Sequence, residues 1–324
     1  VLLKKLMLGL ALAAGFCAPV AAQAPYPSKL VRIVVPFPPG GGVDVLIRAV
    51  AAELQGKWGQ TVIVDNKVGG GTLIGADAVA RSAPDGLTLM ATVNQTVTSN
   101  RFLYKNLPYD PERSFIPVIQ MADSEQLVVA HPSVPAKDLR EFVALAKREP
   151  AKYTFGSYGN GTQPHLLFAL MNKREGIDLL HVPYKGIAQL MTAVAAGEVS
   201  VSTGSGSVAG ALMQGGRMKP LAIASKQRSA LFPNVPTVHE LGYPYLSAGI
   251  WYGIFAPAGT PQPIVDKINA DVRAILRDPQ FAEKQITSKN LRVVAGTPQE
   301  FQAVIHEEVA GLAEMVRAAD VKPE

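Results

Sequence analysis

Apolar and polar positions along this chain fall into short blocks that switch between a strand period and a helix period. LVRIVV, Leu30 to Val35, is β-branched and short enough for a buried strand; after a loop almost free of side chains, Leu46, Val50 and Leu54 recur at helical spacing. The unit then repeats. TVIVDNK predicts a second strand, VGGGTLIGADAVARSA a glycine loop and helix, and LTLMATV, behind the turn Pro84 to Gly86, a third strand. The stretch from Tyr104 to Arg113 reads as a surface connection, and the pattern restarts near Gln126 with LVVAHP and a helix through about Lys147. KYTFGSYG, HVPYKG, a helix ending AAGE, VSVSTGS and LAIAS continue the alternation, which predicts an α/β protein with a mostly parallel sheet in a second domain. Further on, Ile264, Ile268, Val272 and Ile275 form one helical stripe, and a last apolar-periodic helix starts near Pro298. The expected organisation is a discontinuous first domain, residues 25–125 and 249–324, with residues 126–248 as the second.

The beginning of the chain changes the compartment. Lys4 and Lys5 precede LMLGLALAAGF, and the run ends in APVAAQA, so residues 1–22 are expected to be a signal peptide cleaved after Ala22. Cys17, the only cysteine, lies within that segment behind a bulky Phe16, so the mature chain is expected to have no thiol, disulfide or lipid anchor. Removing the two lysines takes the net charge from +5 to +3. No later apolar run is long enough to predict a membrane span, and charges of both signs are dispersed, which argues against a nucleic-acid partner.

Candidate chemistry concentrates in two glycine loops. In PFPPGGGVD, Phe37 leads into Gly40, Gly41 and Gly42, where amides at a helix N-terminus can approach an anion without a Cβ in the way. Val45 stands where the dinucleotide fingerprint needs its third glycine, and the phosphate loop's Gly-Lys-Ser/Thr is missing, so no cofactor is expected. Asp44 puts a carboxylate at the helix start, which suits a small carboxylate better than a phosphate, and Arg48 is placed to pair with it. The plain alternative is a tight turn that binds nothing.

FGSYGNGTQPHL mirrors that loop, with Gly156, Gly159 and Gly161 freeing the backbone, Ser157, Asn160 and Thr162 adding short polar groups, and Pro164 suiting a first helical turn. Facing loops could grip a carboxylate from both sides. The five histidines show no paired metal spacing, so no metal is expected; His165 sits beside the cleft with a contact or a structural role. Asn94 at a strand end, Tyr184 and Lys185 in HVPYKG, and Thr203, Gly204 and Ser205 behind a strand are further candidates for the cleft wall. Phe155 stands where a nucleophile elbow needs glycine, yet an exported hydrolase using Ser157 and His165 in the same cleft is the alternative function.

Taken in order, PFPPGGGVD, GGGTLIGA, SAPDG, LPYDPERSF, FGSYGNGTQPHL, HVPYKG, PNVPTVHELG and WYGIFAPAGTP resemble the periplasmic substrate-binding proteins of tripartite tricarboxylate transporters, the Bug receptors. The likeness covers essentially all of the chain after the leader. It implies a two-domain periplasmic-binding-protein (Venus flytrap) fold with the ligand cleft between the domains, a periplasmic location and no catalysed reaction. In such proteins the loops matching Pro36 to Asp44 and Phe155 to His165 hold a ligand carboxylate, and the implied partners are a small organic carboxylate and inner-membrane permease subunits or, for some members, a sensor. A monomer is expected for a cleft that opens and closes. Ala169 stands where the family often has glutamate, Ala188, Gln189 and Leu190 where it often has Pro-Ala, and VSVSTGSGS is uncharged where relatives often carry an acid; the ligand's identity is therefore not carried over.

Overall fold

A computed structural model describes residues 26–320. The expected signal peptide and Cys17 lie outside the described residues. Ten strands make up one continuous sheet: β1 (Val31–Val35), β2 (Val62–Asn66), β3 (Thr88–Val93), β4 (Phe115–Ala130), β5 (Thr154–Ser157), β6 (Leu180–Pro183), β7 (Val201–Ser205), β8 (Lys219–Ile223), β9 (Gly249–Pro257) and β10 (Leu291–Val293). β4 is shared by two lobes. Its residues 115–125 pair with β9, and from Gln126 it pairs with β7 and β8 instead.

The first lobe orders its strands β2-β1-β3-β9-β4, the first three parallel and β9 antiparallel to both neighbours. β1 is buried on both faces, between the helix Gly42–Trp58, which contributes Leu46, Val50 and Leu54, and a second cluster around Val34, Ala76 and Phe301. In the second lobe β5, β6 and β7 are parallel and β4 runs against β7 and β8, so the sheet is mostly parallel there. The helices Leu139–Arg148 and Gln163–Glu175 cover one face, and Ile187–Ala196 and Gly206–Gln214 the other.

Three elements differ from the sequence reading. β4 begins eleven residues before the expected restart at Gln126, because Pro117, Gln120, Asp123 and Ser124 break its alternation; the pairing absorbs them through register shifts at Pro117/Ile119 and Gln120/Ala122. β3 does not end in an extended strand end at Asn94, because Asn94–Val97 already form a single helical turn. β10 is three residues long and exists only by pairing with β4, so nothing local announces it.

Candidate functional site

The sheet topology brings the two glycine loops to one edge. β4 runs toward the crossover in the first lobe and away from it in the second. β1 and β3 share its direction, whereas β7, β5 and β6 oppose it, so all of these strands end at the crossover. The carboxyl ends of strands in open α/β sheets are where ligands settle. Phe37 to Gly41 follow β1, Asn94 follows β3, and Ser157, Tyr184 and Ser205 lie at the ends of β5, β6 and β7.

Both loops lead into helices without side-chain caps. Gly41 caps Gly42–Trp58 and Thr162 caps Gln163–Glu175, and neither supplies a side-chain hydrogen bond to the first turn. The helices behind Asp138, Asp278 and Thr297 do have such caps. The amides of Gly42, Val43 and Asp44 thus keep the partial positive charge of an open helix start, as do those of Gln163 and His165. Gly40, Gly41 and Gly42 are exposed. Gly40 adopts φ +86°, which favours glycine, and a Cβ on Gly42 would come within 2.5 Å of the Tyr252 hydroxyl.

Asp44 is only 2% exposed, and its carboxylate is engaged within the loop. One oxygen accepts from the Gly40 amide at 2.8 Å and the other from Asn66 Nδ2 at 2.8 Å, while Arg48 Nε reaches both at 3.1 Å. Burial alone would raise its pKa; the Arg48, Gly40 and Asn66 hydrogen bonds prevail and hold it below the usual carboxylate range. Asn66 also donates to the Phe37 carbonyl at 3.0 Å, so Asp44 and Asn66 together pin both ends of the first loop. The expected pairing of Arg48 with Asp44 is present at 3.0 Å.

In the second loop, Ser157 is fully buried, and its Oγ lies 3.2 Å from the Gly159 amide, 3.0 Å from the Gly159 carbonyl and 2.7 Å from His181 Nε2. Its histidine partner is therefore His181 and not His165, which separates the pair on which the hydrolase alternative rested. His165 Nδ1 accepts from the Gly161 amide at 2.9 Å, so the neutral ring carries its proton on Nε2. The two imidazoles stack with centroids 4.2 Å apart, and Phe155 lies against His181 at 4.8 Å. Burial lowers the pKa of His165; burial, then repulsion from His165, takes His181 down to about 4. Both rings are neutral near pH 7. Thr162 Oγ1 donates to the Gly159 carbonyl at 2.6 Å, closing a loop in which Gly159 has φ +134°.

The remaining candidates are placed differently from one another. Thr203 is buried at the gap edge, with Oγ1 donating to Gln163 Oε1 at 3.4 Å. Gly204 packs against Met191, whose sulfur would lie 2.9 Å from an added Cβ, so its smallness serves helix packing. Asn94 spends its amide on the Gly249 carbonyl at 3.0 Å and on Glu308 at 2.7 Å, joining the end of β3 to β9 and to the helix Pro298–Ala319. Tyr184 is half-buried and packs against the cluster that holds Leu190 and Val199; burial, then the nearby Glu198, raises its hydroxyl pKa. Sequence reasoning gave no role to Tyr252, Asn66 or His181. Asn66 ends a strand, as Asn94 does, and could have been found on that ground; Tyr252 reaches Gly42 only through cross-strand packing and leaves no local signal.

A family model described as the tripartite tricarboxylate transporter family receptor matches residues 46–321. The chain belongs to that family. BugT of Bordetella pertussis (strain Tohama I) is 33% identical over 310 residues, 95% of this chain and 94% of that protein. The R. palustris Rpa4515 structure with adipate is similar at a TM-score of 0.76 and 30% identity, covering 92% of this chain and 100% of that one. MatC from Rhodopseudomonas palustris, with bound malate, is similar at a TM-score of 0.71 and 30% identity, covering 90% and 100%. The family and these neighbours are receptors with the two-lobed periplasmic-binding-protein fold. Among the described residues no helix is long and apolar enough to cross a membrane.

Proposed function

We propose that this receptor works in the periplasm as a monomer, closes its lobes on the carboxylate of a small organic acid and presents it to the permease of a tripartite tricarboxylate transporter. The observation that carries this reading is the pair of uncapped helix starts, Gly42–Trp58 and Gln163–Glu175, each entered through glycines and both directed at the gap between the lobes. The moving bodies are residues 25–125 with 249–324, and residues 126–248, joined where β4 changes partners. Amides from the first loop and amides with His165 Nε2–H from the second donate to the ligand, each charge-assisted bond contributing roughly 1.5–3 kcal/mol. Asp44 and Ser157 act by holding the loops in shape. In this reading no reaction is catalysed, and the Ser157 hydroxyl, buried and bonded to Gly159 and His181, serves the loop.

The test is calorimetric titration of a small-carboxylate panel into protein stripped of bound solute by unfolding and refolding, with Gly41→Leu in parallel. Gly41 has φ −70°, and only the Pro38 carbonyl, at 3.7 Å, lies near its virtual Cβ. The leucine is therefore accommodated by the backbone and fills the anion position. Binding is expected to disappear while the unfolding free energy changes by no more than about 0.5 kcal/mol. Undiminished affinity in Gly41→Leu would remove the first loop from the site.

A further inference from the structure

We infer that the cleft wall at the crossover takes an uncharged hydrogen-bond acceptor, a carbonyl such as an amide or ketone, so that the receptor prefers a monocarboxylate carrying such a group over a dicarboxylate of the same length. This rests on the carboxylate-receptor reading above. Of the buried side-chain polar atoms without a partner among the described residues, three fall at the crossover: Gln126 Nε2, Gln163 Nε2 and Glu125 Oε2. Gln126 is 4% exposed and is the first residue of β4 to pair with the second lobe, directly opposite Ser205. Residues facing each other across antiparallel strands share a sheet face, so Gln126, Ser205 and, two residues on, Thr203 project together. That face is the one covered by Gln163–Glu175, since Val128 and Val201 on the same rows pack there. Gln163 opens this helix and turns its Oε1 to Thr203, which leaves its NH2 group as the orphan.

Two primary amides thus stand at the gap with donors and no acceptor. Buried N–H groups are rarely left so in folded proteins, and an acceptor from outside the chain completes them. The acceptor's charge follows from the donors themselves: both are neutral amides, which offset the desolvation of a second carboxylate poorly and so favour a neutral carbonyl.

Three probes of one chain length decide it: succinate, its monoamide succinamate, and butanoate, each titrated calorimetrically into the stripped full chain and into Gln126→Met and Gln126→Leu. Succinamate is expected to bind at least tenfold tighter than succinate. Each substitution should lower succinamate affinity by tenfold or more while moving butanoate by less than threefold. Succinate binding more tightly than succinamate overturns the inference, as does a loss that is equal for succinamate and butanoate. Butanoate binding with no gain for succinamate refutes the carbonyl site and leaves the receptor reading intact; no binding by any probe, repeated with the five- and six-carbon series, refutes both. Unchanged thermal unfolding of the two variants shows that they fold.

Discussion

Asp44→Asn separates the latch of the first loop from the ligand that loop is proposed to position. The wild-type carboxylate uses one oxygen for Gly40 and the other for Asn66, with Arg48 across both. Asparagine keeps the shape and only one acceptor, so one of the two loop-pinning bonds becomes a donor facing a donor. Losing one charge-assisted bond costs roughly 1.5–3 kcal/mol. The Arg48 ion pair adds at most about 1 kcal/mol, because the guanidinium is half exposed. A loss of about 2–4 kcal/mol in unfolding free energy is expected near pH 7. Even if only part of it appears as loosening of the loop, 1.4 kcal/mol of that part weakens carboxylate binding about tenfold. The pH dependence carries a sign. The folded carboxyl titrates below its ordinary value of 3.8, so its contribution is complete above that pH and is lost as pH falls through the lower folded value. The gap between wild type and variant should therefore narrow on acidification below about pH 4. Urea unfolding at pH 7 and at pH 3 reads the stability, and calorimetry the affinity. Stability unchanged within about 0.5 kcal/mol would refute the latch, and a large loss of stability with full affinity would refute the coupling of latch to site.

In Ser157→Ala, the Gly159 amide and His181 Nε2 lose their shared partner inside a buried loop, so the protein should lose about 1–3 kcal/mol. At ~2–4 °C per kcal/mol that is a readable drop in Tm, with weaker carboxylate binding; an ester or amide hydrolysis that vanishes in this variant would instead return the serine to a nucleophile's role. His181 titrates near 4 in the fold against 6.5 unfolded, so its contribution is complete above pH 6.5 and declines as pH falls toward 4. The stability advantage of wild type over His181→Phe should shrink across that window, and an advantage that grows on acidification would contradict the buried neutral imidazole.

What could be read in advance divides by range along the chain. The strand, loop and helix around Phe37 to Trp58 follow from residues within twenty positions of one another, and the structure forms them as periodicity and the glycine run require. The first half of β4 was illegible for the opposite reason: Pro117, Gln120 and Asp123 have no strand pattern, and β9, more than a hundred residues later, supplies the pairing that makes them a strand. The site divides in the same way. Glycines and caps announce where backbone amides open, whereas the occupation of Ser157 by His181, of Asn94 by Glu308 and of the space beside Gly42 by Tyr252 is decided by contacts distant in sequence. Small polar residues at strand ends were legible as a cleft edge; which of them spend their donors on the protein itself was not.

The helix Pro298–Ala319 links these local features to the motion the function needs. Phe301 and Ile305 fix its first half to Trp251 and Phe255 of the first lobe, and Glu308, accepting from Asn94, Trp251 and Thr98, fastens its middle at the crossover. Burial raises the pKa of Glu308, the expected result for a carboxyl enclosed in that position. Its last turns pack on the other lobe: Leu312 and Met315 lie against Leu166 and Leu170, and Arg174 forks onto Glu314 at 2.6 and 2.8 Å. The helix that opens at the second glycine loop is therefore held close to its own N-terminus by an element rooted in the first lobe. Leu166 lies about 5 Å along the axis from Gln163, whereas β6, three strands from β4, lies roughly 14 Å from the crossover. A rotation about the shared strand and this strap displaces the rim beyond β6 most and the first turn of Gln163–Glu175 least. On the proposed reading, the amides offered to the ligand are then preformed on both sides of the gap, closure is the work of the outer rim, and the ligand selects the closed state through the contacts that the rim adds.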